Sequence, residues 1–181
     1  MRAVRAESRR GSATSSRAVE IHDRDGYSGF SLSPVRYQFP AVSGDSFDDN
    51  WLVVKGGARS ASESWSFEDP ALLTADALEI RDWLCRVAEQ TEPVQDFGNE
   101  EHNEPGLTFI EPNIAFSVKG YFPDGATVRV HLSLESSPRS RRVDERHFAL
   151  YGYWLEISAS SEMFSRASVE WEGELALFPE R

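Results

Sequence analysis

The chain has 181 residues, 40% of them apolar and 12% aromatic, and its 30 acidic against 19 basic residues leave a net charge of −11. That composition excludes a disordered or fibrous chain and supplies enough apolar surface for one domain with a substantial core. It also argues against direct nucleic-acid binding by the folded part, which needs clustered Lys and Arg, and no run approaches the roughly 18 apolar residues of a membrane span.

Residues 1–20 are rich in Arg, Ser and Ala and carry a net charge of +3, which leaves −14 for the remainder. With no aromatic residue and no apolar stretch of signal-peptide type, this segment is expected to be a disordered or loosely attached tail. A single α+β domain is expected over 21–181. Its first strands fall at 27–39, where Phe30, Leu32, Val35, Tyr37 and Phe39 alternate in two sets, with Pro34 breaking the run or marking an edge. After a polar loop at 41–50, the apolar run 51–57 reads as a strand. A second strand follows at 62–69, with Gly56 and Gly57 in the hairpin turn between them.

A helix is then expected from Thr74 to about Gln90. Thr74 supplies a capping hydroxyl, and Asp76 favours the positive end of the helix dipole. Ala77, Ile80, Leu84, Val87 and Ala88 form one apolar stripe, with Arg86 on the solvent side. Residues 91–106 form a long acidic loop. Strands follow at 107–111 and 113–121, a turn has Asp124 and Gly125 at its tip, and the next strand covers 127–135. In that strand Val128, Val130, Leu132 and Leu134 should face the core, while Arg129, His131, Ser133 and Glu135 face water. A polar connection at 136–147, a strand at 148–158 and a C-terminal helix capped by Ser160 or Ser161 complete the chain. The expected fold is mainly an antiparallel sheet of about six to eight strands carrying two helices, one central and one C-terminal.

Catalytic chemistry finds little support. Glu68 and Asp69 are neighbours on an expected strand, so their side chains point to opposite faces, and they read as the strand-to-helix junction. Glu100, Glu101, His102 and Glu104 could ligate a divalent cation, but a loop flanked by Gly98 and Pro105 reads better as a solvated acidic segment. Cys85, the one cysteine, excludes a disulfide within this sequence, fits a reducing cytoplasm and reads as a half-buried small hydrophobe. The four histidines show no metal-ligand spacing, and phosphate-binding and nucleophile-elbow motifs are absent. No catalytic residue, cofactor or metal is therefore assigned.

Several stretches together resemble the WapI family of bacterial immunity proteins: DDNWLVVKG at 48–56, SWSFEDPALLTADALEIRDWL at 64–84, LTFIEPNIAFSV at 107–118, VRVHLSLE at 128–135 and ALFPER at 176–181. The resemblance covers about 47–181 and lies in core and turn residues, so it carries no site. It implies a cytoplasmic inhibitor whose partner is the C-terminal domain of a cognate toxin, one that in the family cleaves tRNA. Inhibition would need no catalysis, nucleic-acid contact or membrane. An acidic surface would suit a basic nuclease cleft. The candidate partner surface is the acidic loop, with Asp96, Glu100, Glu101 and Glu104 as solvent charges and Phe97 as an aromatic anchor. A non-catalytic interaction or regulatory domain is the alternative, and an enzyme using His102 or His131 the third. Oligomeric state stays open.

Overall fold

The computed structural model describes residues 18–96, 104–142 and 150–181. Among these, seven strands form two antiparallel sheets rather than one. The first sheet runs in sequence order through β1 (Val19–His22), β2 (Gly29–Tyr37), β3 (Trp51–Arg59) and β4 (Ser64–Leu73). The second contains β5 (Ile114–Phe122), β6 (Gly125–Leu132) and β7 (Trp154–Ser160). Helix α1 (Thr74–Ala88) joins the sheets, α2 (Arg139–Arg142) is one turn, and α3 (Ser161–Leu175) follows β7 directly. β1 begins at Val19, whose side chain is buried. The rest of the expected tail, residues 1–17, lies outside the described residues.

Local chemistry explains the departures from the simple strand pattern. Pro34 does not split β2; the register slips between Pro34 and Arg36, so the strand continues through a bulge. β1 reaches only as far as Leu32, so the missing N–H of Pro34 costs no ladder bond on that side. Gly56 and Gly57 sit inside β3, and the turn lies at 60–63, closed by Ser60 N–H to the Glu63 carbonyl at 2.8 Å. Gly56 is required there by a close approach: a Cβ would stand 2.0 Å from the Phe67 ring on β4. The expected strand at 107–111 reduces to one bridge, Leu107 with Phe116. The β5–β6 turn is Pro123-Asp124, since Phe122 pairs with Gly125.

α1 and α3 pack side by side across the two sheets. Ala77, Ile80, Trp83, Leu84 and Val87 of α1 meet Phe164, Ala167, Trp171 and Leu175 of α3 in one core. The Trp171 indole N–H donates to the Ala77 carbonyl at 2.7 Å. Phe116 of β5 lies at the centre, 5.1 Å from the Trp83 ring and 6.1 Å from the Phe30 ring on β2. Ser160 caps α3 by accepting from Met163 N–H at 3.2 Å. Thr74 does not cap α1. It is the buried first residue of the helix and donates to Asn50 Oδ1 at 3.2 Å, while Asp76 accepts from Leu73 N–H at 2.9 Å. Burial raises the Asp76 pKa, opposed by that hydrogen bond.

The segment after α3 returns to the start of β3. Phe178 meets Tyr37 edge-on, and the Tyr37 hydroxyl donates to the Pro179 carbonyl. Arg181 lays its guanidinium 3.4 Å over the Tyr37 ring and donates to the Phe39 carbonyl at 3.1 Å.

Candidate interaction surface

The acidic loop is pinned to the body of the protein before it reaches its exposed part. Glu92, only 7% exposed, accepts from Arg86 Nε at 2.5 Å, so Arg86 is a structural partner and not a free solvent charge. Gln95 pairs with Val118 twice: its backbone N–H donates to the Val118 carbonyl at 2.9 Å and its side-chain oxygen accepts from Val118 N–H at 2.7 Å. On the far side, Leu107 bonds Phe116 in both directions at 2.9 Å. Between these pins Asp96 and Glu104 are exposed. Phe97, Glu100 and Glu101, the other members of the expected partner surface, lie outside the described residues, as does His102 of the candidate cation site. Among the described residues no group of three or more His, Cys, Asp or Glu side chains could hold a metal.

Glu104 adjoins a second surface. Burial and the negative charge of Glu104 both raise the Tyr151 hydroxyl pKa. Tyr151 in turn meets His131 edge-on at 6.2 Å. His131 belongs to the outer face of the three-stranded sheet, where paired positions place Ser117 beside Arg129, Arg129 beside Glu156 and His131 beside Trp154. The sequence pattern assigns Arg129, His131 and Ser133 to solvent; the structure buries all three. Arg129 stacks 4.6 Å over Trp154 and lies 3.4 Å from Glu156, which also holds Lys119 at 2.6 Å. Ser133 accepts from Tyr151 N–H at 2.9 Å. A period-2 pattern locates the inner face of β6 but says nothing about what covers the outer one.

His131 and Ser117 form a pair with hydrolase-like spacing, Ser117 Oγ to His131 Nε2 at 2.8 Å. His131 Nδ1 stands 3.1 Å from the Tyr151 carbonyl, which fixes the proton on Nδ1 and leaves Nε2 to accept from Ser117. Neither side chain reaches solvent, and the third group is a carbonyl where a triad has a carboxylate. Burial pushes the imidazole pKa down to about 4; the hydrogen bond to Tyr151 opposes this and Arg129 adds to it. The pair is built to satisfy two buried polar groups. Its signal in the sequence is a polar residue between apolar neighbours in each of two strands, Ser117 between Phe116 and Val118 and His131 between Val130 and Leu132.

Glu68 and Asp69 do diverge. Glu68 is exposed and faces Arg36 at 3.8 Å, whereas Asp69 accepts from Asn113 Nδ2 at 2.7 Å. Burial raises the Asp69 pKa, the Asn113 hydrogen bond lowers it and nearby Glu135 raises it further. Both acids lie in β4 and not at its junction with α1. Cys85 is half-buried on α1.

The model of the immunity protein WapI-like family matches residues 20–179. The chain belongs to that family. The match extends the likeness seen in the sequence towards the N-terminus, to the start of β1, and takes in both sheets and both long helices. Neither a curated protein nor a solved structure matches the chain. Among the described residues no helix is long and apolar enough to cross a membrane. Members of an immunity family act on a toxin partner, so the surfaces that matter here are those open to another protein.

Proposed function

We propose that this protein neutralises the C-terminal domain of a cognate bacterial toxin by binding it in the cytoplasm, without catalysis, and that the toxin domain is a nuclease of the tRNA-cleaving kind. The observation that carries this reading is the family match over 20–179. The net charge of −11 supports the nuclease part, because a cleft that holds RNA is basic and an acidic inhibitor is drawn to it. In this reading the acidic loop supplies steering charge through Asp96, Glu100, Glu101 and Glu104.

The test is co-expression with the toxin domain encoded beside this chain's own reading frame. A one-to-one complex that abolishes tRNA cleavage is the expected result. Absence of a complex, or a toxin domain with no action on RNA, overturns the reading or its nuclease part respectively.

A further inference from the structure

Resting on that reading, we propose that the loop joining β2 to β3 is the surface that anchors the basic protein partner. Phe39, Val42 and Phe47 on this loop are 42%, 64% and 48% exposed, and Leu177 is 59% exposed. Single exposed apolar side chains are ordinary. Here three of them share one loop, which the segment after α3 meets where Phe178 packs on Tyr37 and Arg181 donates to the Phe39 carbonyl; Leu177 of that segment lies by Val35 of β2.

The loop is held in place although it contains no strand. Asp49, itself buried, accepts from Ser43 N–H and Gly44 N–H at 2.8 Å each. Asp45 accepts from Phe47 N–H at 2.9 Å and Asp48 N–H at 3.3 Å. Asn50 donates to the Ser46 carbonyl at 2.7 Å, and Phe47 rests edge-on against Trp51 at 5.6 Å. A partner meeting this loop orders little backbone on binding, so apolar burial there converts efficiently into affinity. Aromatic anchors of this kind carry most of the energy of an interface.

The charge selects the occupant. Asp45 and Asp48 of this loop and Glu180 of the segment after α3 are exposed, and the loop itself holds no Lys or Arg, so these acids outnumber the cation Arg181 that lies against Phe39. Such a rim repels nucleic acid and anionic lipid and favours a basic protein.

The test measures binding kinetics of the adjacent toxin domain with the unaltered chain, with Phe47→Ala and with Val42→Ser. Circular dichroism melts of each confirm the fold, and Val42 serves if loss of the Trp51 contact loosens the loop around Phe47→Ala. Each variant is expected to dissociate on the order of tenfold faster. Asp48→Asn combined with Glu180→Gln is expected to slow association and flatten its salt dependence. A complex whose dissociation is unchanged in both apolar variants overturns this inference and leaves the functional reading standing. No complex with the unaltered chain overturns the functional reading and the inference with it. Self-association of the chain alone, lost in the same variants, assigns the surface to a second copy and overturns the inference.

Discussion

Asn50 holds the backbone of Arg181 by both ends of its amide: Asn50 Oδ1 accepts from Arg181 N–H at 2.9 Å, and Asn50 Nδ2 donates to the Arg181 carbonyl at 3.1 Å. The same oxygen takes the Thr74 hydroxyl and the same nitrogen the Ser46 carbonyl. One buried amide thus ties together the β2–β3 loop, the start of α1 and the segment after α3. Asn50→Ala should cost about 1–3 kcal/mol, because buried polar groups lose their partners. A urea titration should show a lower midpoint with an unchanged slope.

Gly56 and Phe67 predict a size-dependent defect. A methyl group at 56 would collide with the Phe67 ring, a rigid body packed in the core. Gly56→Ala should destabilise by about 1–3 kcal/mol, the usual cost of overpacking. Phe67→Leu frees space over Gly56, so the double variant should lose less than the sum of the singles. Additive losses in a double-mutant cycle would show that β3 shifts to admit the methyl group.

The two fully buried indoles of the helices differ in one atom's surroundings. Trp171 Nε1 has the Ala77 carbonyl, whereas Trp83 Nε1 has no hydrogen-bond partner among the described residues. Both substitutions to Phe remove a similar volume, but only Trp171→Phe removes a hydrogen bond, the second one accepted by a carbonyl inside α1. Trp171→Phe should therefore cost roughly 1 kcal/mol more than Trp83→Phe in thermal melts. Equal losses would remove the hydrogen bond from the account.

His131 makes stability depend on acid. Its folded-state pKa, about 4, lies below the ordinary value of 6.5, so the unfolded chain binds more protons between those values. Stability from this group is present above pH 6.5 and lost as pH falls towards 4, at no more than about 1.4 kcal/mol per pH unit. Asp69 and Asp76, whose pKa values are raised, act with the opposite sign, favouring the fold at lower pH as carboxylates protonate. The comparison of the parent with His131→Gln isolates the histidine. Denaturation midpoints measured from pH 4 to 7 should fall more steeply with acid in the parent than in the variant.

Helix α3 and the inner face of β6 were legible because each has one environment per face, and residue type follows it. Ser160 caps α3, and Phe164, Ala167 and Trp171 recur at helical spacing along its buried side, with Met163 half-buried beside them. What was not legible depends on partners distant in sequence. Trp83 stands three residues after Ile80 and four before Val87, at the edge of the expected stripe of α1, and its full burial rests on Phe116 of the second sheet. Gly56 looks like turn chemistry until Phe67 is laid over it. Asp49 and Asn50 read as loop polarity, and only the returning segment at 178–181 gives Asn50 its role. The division into two sheets has the same origin, since every ladder among the described residues joins strands that follow one another in the chain. Of the acidic segment, the sequence locates the charges, but not the pins at Glu92 and Gln95.

The hydrogen bond from Trp171 to Ala77 spans 94 positions of the chain. On a ribosome adding about 5–20 residues per second, Ala77 waits roughly 5–20 s for its partner. Throughout that interval α1 has made its apolar stripe but lacks α3 to cover it, and the Asn50 amide lacks Arg181. Completion of this core thus waits until α3 and the segment at 176–181 have been made. A truncated product ending before α3 would carry the β2–β3 loop and both sheets while leaving Ile80, Trp83 and Leu84 open to water or to a chaperone.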